Sequence, residues 1–287
     1  MRSLIGRHLK VYFRDRWAVF FSFLSIFIIL VLFIVFLNMM QVNALPQHLR
    51  DTNEGNYLVY AWILSGVLMV STVTTPLGFL GLMVNDLETK TLHDFYASPL
   101  SRSKVVASYL IGAIIIAMAF SILNLLLGFG ILYYVSGYYL PLIDIVYVLL
   151  AMTLTSLLFA ALFYYLVSML KTNQAHSTLS TLIGTLIGFF AGIYVPIGSF
   201  GQGLITFLSS LPFMQGAAVI RNLYMQHALD TVFKNAIEQR NQYESFFGLN
   251  VIIGNQIVPQ FWVFMILLAW TGIFIGLSLM RVRRFKL

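Results

Sequence analysis

The sequence predicts an all-α membrane protein with six transmembrane helices and both termini on the cytoplasmic side. Three observations carry this expectation. Of the 287 residues, 60% are hydrophobic and only 9% are charged, whereas a soluble domain is about a quarter charged. Six apolar runs, 17–37, 57–84, 105–135, 142–170, 177–200 and 259–280, are each long enough for a hydrocarbon core about 30 Å thick. If the N-terminus, the loops after spans two and four, and the C-terminus share one side, that side holds thirteen of the seventeen Lys and Arg, the positive-inside pattern. Topology thus accounts for the charge of +7 without a nucleic-acid partner. The absence of cysteine excludes disulfides and thiolate metal sites.

Each element has its own justification. Residues 1–16 set Leu4, Ile5, Leu9, Val11, Tyr12 and Phe13 against five basic residues, an amphipathic lead-in that lies in the headgroup layer. It serves either as a topology anchor or as a mechanical part. In span one, seventeen residues are Val, Leu, Ile or Phe; the run is longer than a signal-peptide core and is read as an uncleaved anchor. Span two carries Pro76, which removes a backbone hydrogen bond and is expected to kink the helix.

Residues 85–104, NDLETKTLHDFYASPLSRSK, interrupt the apolar chain with charge. Asn85 followed by Glu88 has the spacing of a capped helix start, and Pro99 marks its end. Between them Leu92, Phe95 and Tyr96 share one face, with Asp86, Lys90, His93 and Asp94 on the other. This predicts a short helix along the inner membrane surface.

Span five places Gly184, Gly188 and Gly192 at four-residue spacing, and span six repeats the device with Gly272 and Gly276. Small residues so spaced let helices approach closely, within the chain or between subunits. Residues 201–258 form a long connection between spans five and six. GLITFLSSLPF within it is apolar but too short to cross, which predicts a re-entrant or interfacial helix. LDTVFKNAIEQRNQYESFFG is polar enough to stand in water above the membrane. Arg221, in GAAVIRNLYM, is a costly residue near the outer leaflet. It closes an outer gate, binds a lipid phosphate, or simply reaches the interface. The five histidines are scattered over loops and span ends, without a nucleophile–base pair or clustered metal ligands. No G-x-x-x-x-G-K-[ST] phosphate loop occurs, so no ATP site is expected on this chain.

With these residues in view, LETKTLHDFYASPLSR resembles the cytoplasmic signature of type-2 ABC transporter permeases, roughly E-x-G-T-L-x-x-L-x-x-[ST]-P-[LV]-x-R. Glu88, Thr91, Leu92, Ser98, Pro99, Leu100 and Arg102 match; Lys90 stands where glycine is usual and Phe95 where leucine is usual. A second stretch, from FFAGIYVP to VIRNLYM, is similar to the end of that family's fifth span and its re-entrant outer helices, through Gly192, Pro196, Pro212 and Arg221. The resemblance covers nearly the whole of 1–287 as one membrane domain. It implies a type-2 ABC exporter permease fold: an amphipathic N-terminal helix at 1–16, a coupling helix in the 85–104 loop, and an extracellular and re-entrant segment at 201–258.

It also implies a function. The chain would be the membrane subunit of an exporter, paired with a second permease subunit, the same or homologous, in a bacterial plasma membrane. A separate cytoplasmic ABC ATPase would bind ATP and Mg. Glu88, Thr91, Leu92, Phe95, Tyr96, Pro99 and Arg102 would then carry the ATPase contact. Thr72, Thr75, Phe189 and Phe190 would line the path, and Pro196, Pro212 and Arg221 would form the outer gate. Forty-four aromatic residues suit an amphipathic cargo, such as a drug, an antimicrobial peptide or a lipid-linked molecule. The rival readings are a non-transporting scaffold and an ion-coupled secondary transporter. The latter needs ionisable groups in the membrane core, where Asp144, at the edge of span four, is the only acidic candidate.

Overall fold

The computed structural model describes the chain apart from residues 33, 34, 36–41, 43, 44, 51, 98, 99, 235, 255 and 285–287. It is helical almost throughout. Helices α1 (Arg2–Arg14) and α2 (Arg16–Leu32) meet at Asp15. They are followed by α3 (Asn53–Glu88), α4 (Thr91–Ala97), α5 (Arg102–Ser136), α6 (Leu142–Val167) and α7 (Asn173–Phe190). After a short 3-10 turn at Ile197–Ser199 come α8 (Gln202–Ser210), α9 (Pro212–Val232) and α10 (Ile237–Phe246). A hairpin of β1 (Val251–Ile253) and β2 (Gln256–Val258) pairs Ile252 with Ile257 in antiparallel register and leads into α11 (Gln260–Arg284).

The centre of the bundle is α3. It packs against α5, α6, α7 and α9, and Tyr57 through Val73 are buried without interruption. Its start is fixed by Thr52, whose hydroxyl accepts the Gly55 N–H at 3.0 Å, an N-cap. Pro76 sits inside the helix without ending it, and the helix runs past the predicted boundary at Val84 to Glu88. Asn85 is therefore a residue of the long helix and not a cap, because the backbone keeps its helical bonding through this point.

The break comes at Thr89 and Lys90. The Thr89 amide and hydroxyl both donate to the Asn85 carbonyl, at 2.9 and 2.8 Å. Lys90 takes φ +63°, the one positive φ outside glycine among the described residues. A helix stop of this kind normally uses glycine, which has no Cβ to clash in the left-handed region.

Four helices, α3, α5, α6 and α11, are long and apolar enough to cross a membrane; a fifth span arises if the pair α8–α9, bent by 87°, counts as one. This is the multi-pass architecture the composition predicts, with the count of six met only in part. Of span one the structure describes α2, 17 residues long. Span five is α7, whose Asn173, Gln174, His176 and run of Ser and Thr dilute its apolar character. It stops at Phe190, ten residues short of the predicted end, and the chain folds back so that Ile193 and Tyr194 both donate to the Gly188 carbonyl, at 2.7 and 3.0 Å. The apolar GLITFLSSLPF forms the short α8 and the start of α9, with a sharp bend between the two helices.

Candidate functional site

At the end of the bundle that holds α1, the C-terminal end of α3 and the start of α5, one carboxylate organises its surroundings. Asp86 has a side chain only 2% exposed. Arg7 of α1 grips it with both terminal nitrogens, Nη1 to Oδ2 at 2.5 Å and Nη2 to Oδ1 at 2.7 Å. Tyr109 of α5 donates its hydroxyl to Oδ2 at 2.6 Å. A planar guanidinium meets a carboxylate in two parallel charge-assisted bonds, and these satisfy a charge that would otherwise be expensive to bury. The hydrogen bonding of Arg7 to the Asp86 carboxylate is the first reason that the Arg7 pKa is raised.

His8, next along α1, is fully buried. Its Nδ1 accepts from Arg7 at 3.2 Å, its Nε2 bonds the Ser108 hydroxyl at 3.1 Å, and Ser108 donates onward to the Val105 carbonyl at 2.7 Å. These partners suit the neutral Nε2–H tautomer. Burial first, and then the Arg7 charge, lower the His8 pKa to about 4. The ring stacks on Tyr109 at 4.1 Å and meets the Phe95 ring edge-on at 6.1 Å. The Arg7 guanidinium lies 5.2 Å from the Phe95 centroid, a cation–π distance. Four elements, α1, α3, α4 and α5, are thereby fastened at one point.

This arrangement shows what the short polar helix packs on within its own chain. It is α4, seven residues from Thr91 to Ala97, and Leu92 and Phe95 of its apolar stripe pack on its own chain. Leu92 is 3% exposed and Phe95 is half-buried on Arg7 and His8. Asp86, predicted on the exposed polar face, is buried. Among the described residues from 90 to 97, those that face outward are Lys90, Asp94 and Ala97. Glu88 is exposed but engaged: its carboxylate accepts from the backbone and side-chain amides of Asn173, tying α3 to the start of α7. Thr91 bonds the Thr89 hydroxyl at 3.1 Å, and Arg102 opens α5, half-buried. The Tyr96 side chain and Pro99 lie outside the described residues.

The opposite end of the bundle holds a second buried charge. Arg221 of α9 is 1% exposed. Its Nη1 donates to the carbonyls of Phe247 and Gly248 at 2.9 and 2.8 Å, and its Nη2 donates to Gly192 and Ala191 at 3.2 and 3.4 Å. Those acceptors cap the C-terminal ends of α10 and α7, where the helix dipole is negative. The guanidinium also lies over the Trp62 ring at 5.1 Å, and Trp62 donates to the Phe247 carbonyl at 2.8 Å. So Arg221 neither reaches the interface nor faces a lipid phosphate. It is a clasp joining α3, α7, α9 and α10. Pro196 precedes the 3-10 turn and is buried, and Pro212 is the first residue of α9.

The path residues are not brought together. Thr72 and Thr75 are 0% and 5% exposed inside the helix packing, and the Thr72 hydroxyl bonds the Met69 carbonyl at 2.8 Å. Phe190 packs on Phe213, whereas Phe189 is 45% exposed. Among the glycines, Gly188 lies against the Tyr194 ring, with which any Cβ would collide, and Gly192 turns the chain at φ +58°. At Gly184, Gly272 and Gly276 nothing lies within 4 Å of the place a Cβ would occupy, so they do not serve packing among the described residues. Asp144 lies in the first turn of α6, partly exposed.

Sequence reasoning missed Arg7, His8, Asp86, Ser108 and Tyr109 as a unit. The available signal was one acid at the end of a span and two polar residues among the apolar positions of α1. A family model described as ABC-2 type transporter matches residues 1–225. A comparison with curated proteins gave no match.

Proposed function

The chain belongs to the ABC-2 type transporter family, as a membrane permease subunit, and from that premise we propose that it serves an ATP-driven exporter of amphipathic molecules. In this reading it crosses a bacterial plasma membrane six times, with α2 and α7 as spans and both termini in the cytoplasm. It works beside a second permease subunit. ATP and Mg bind a separate ATPase, and this chain is not itself an enzyme. The cargo is a drug, an antimicrobial peptide or a lipid-linked molecule.

The observation that carries the proposal is the fastening of α4 to α1, α3 and α5 around Asp86. A helix that only joined two spans would need no such anchorage. A helix that receives force does, because displacement must pass into the spans without being lost in a soft loop. Pressure on Lys90 and on the outward face of α4 at Asp94 reaches Phe95 and Leu92, which rest on α1 and the bundle. The Arg7–Asp86 pair then moves the end of α3, and Tyr109 moves α5 with it. Leu92 and Phe95 are thus internal anchors, and the ATPase contact is the polar face. At the far end, the Arg221 clasp holds α7, α9 and α10 together as the outer gate.

The test is charge reversal on the contact face. The permease carrying Lys90→Glu and Asp94→Lys, reconstituted in lipid, is expected to fold with its thermal stability retained. It should lose co-purification with its ATPase and the ATP-dependent transport of a reporter amphiphile. Full assembly and transport by this variant, or transport by the permease without any ATPase, would overturn the proposal.

A further inference from the structure

A separate pocket lies beside α10, at the end of the bundle opposite the Asp86 cluster. It encloses about 330 Å³ and is lined chiefly by the rings of Phe233, Tyr243, Phe246 and Phe247 and the amides of Gln239 and Gln242. Apart from Pro46, the residues that line it fall in 233–247, beyond the 1–225 matched by the family model. The pocket is built mainly on the connection between α9 and α11, with Pro46 at its wall.

Its chemistry is specific. Phe233, Tyr243 and Phe247 are 3–7% exposed and form a ring-on-ring cluster, with centroids 5.5 Å apart for Phe233–Tyr243 and 4.2 Å for Tyr243–Phe247. Phe246, 38% exposed, stands edge-on to Phe247 at 5.1 Å. Among the described residues no charged side chain lines the cavity. Aromatic faces carry negative quadrupole charge and attract cations, most strongly poorly hydrated ammonium groups. The two amides add carbonyl acceptors.

The charged groups near the pocket are of both signs, with exposed Lys234 next to Phe233 and acidic groups on α10. Arg240, the cation on α10, is consumed by Asp230 at 2.5 Å and Glu244 at 2.7 Å. Glu238 is exposed and forms no ion pair among the described residues. It sits one turn before Gln242, on the same helical face. Ile237, 73% exposed, offers apolar surface next to it.

We propose that this pocket binds the ammonium head of a cationic amphiphile, with the aromatic rings as its recognition elements and Glu238, outside the lining, adding negative charge one helical turn from Gln242. Its floor is not passive. The Phe247 carbonyl accepts from both Trp62 and Arg221, so a ligand that shifts α10 acts directly on the clasp that joins the ends of α3, α7 and α9. Binding itself requires neither an ATPase nor transport.

The experiment is equilibrium binding of benzyltrimethylammonium to the full chain in nanodiscs of neutral lipid, with benzyl alcohol and benzylsulfonate as neutral and anionic controls. Saturable binding is expected for the cation alone. Phe246→Ala should weaken it at least tenfold, Glu238→Gln should weaken it several-fold, and Gln242→Lys should abolish it. Because Phe246, Glu238 and Gln242 are all exposed, the variants are expected to keep the wild-type melting temperature. Equal binding of benzyl alcohol would reduce the pocket to an apolar cleft and overturn the proposal. So would cation binding unchanged by Phe246→Ala and Gln242→Lys together.

Discussion

Removing the two partners of the Asp86 pair should have unequal consequences. Arg7→Ala leaves a carboxylate whose side chain is 2% exposed with one neutral donor, the Tyr109 hydroxyl. Stripping one partner from a buried pair costs about 3–5 kcal/mol. Asp86→Asn instead leaves the guanidinium, 32% exposed, free to turn to water, while the amide oxygen still accepts one bond. The loss there is the charge assistance of two hydrogen bonds, about 1–2 kcal/mol. The double variant removes the orphaned charge, so its destabilisation should fall below the sum of the single changes by roughly 1–3 kcal/mol. Denaturation of the lipid-reconstituted protein by SDS, followed by far-UV circular dichroism, gives the four values of the cycle. Equal effects of the two single variants, or strict additivity, would refute the claim that Asp86 is the desolvated partner on which the cluster depends.

Four further outcomes follow from the same structure. Lys90→Gly should raise stability by about 1 kcal/mol, since an L-residue at φ +63° is strained by roughly that amount, whereas Lys90→Val should lower it in the same SDS titration. Gly188→Ala drives a Cβ into the Tyr194 ring and should cost about 1–3 kcal/mol, while Gly184→Ala, with open space, should leave the melting temperature unchanged. Arg221→Met strips the donors from four backbone carbonyls and should destabilise by about 3 kcal/mol or more; proteolysis of the 201–258 region should accelerate. The His8 pKa, held at about 4 against an ordinary value near 6.5, means that the unfolded chain takes up a proton that the folded chain refuses. Stability should be full above pH 6.5 and decline as pH falls toward 4; His8→Gln should flatten that part of the thermal-melt profile.

Much of the architecture was legible because bilayer solvation imposes long apolar runs, and α3, α5, α6 and α11 follow them. The helix stop was legible only in part. Asn85 and Glu88 have the spacing of a capping box, but the same residues are acceptable on an exposed helical turn, and nothing local ends the helix before Thr89. What the spacing did contain was the anomaly at Lys90, where the family motif has glycine and the backbone is left-handed. The stripe of Leu92 and Phe95 was correctly read as one face. Its packing on Arg7 and His8 was not legible, because amphipathicity says that a face is buried without saying against what. Arg7 and Asp86 lie far apart in the sequence, and their pairing is a product of tertiary packing that no local pattern encodes. Arg221 was recognisable as expensive. That its charge is met by backbone carbonyls at two helix ends is invisible in side-chain identities.

The length of α3 has a geometric corollary. Its 36 residues span about 54 Å at roughly 1.5 Å per residue, well beyond a hydrocarbon slab of about 30 Å. One uninterrupted rod therefore carries Asp86 near one extremity and Trp62 toward the other, roughly 36 Å apart. A tilt of about eight degrees pivoting on either of these residues sweeps the other through roughly 5 Å, a distance comparable to one helical turn. The two polar knots are in series on a single beam, and a displacement imposed at either is felt at both.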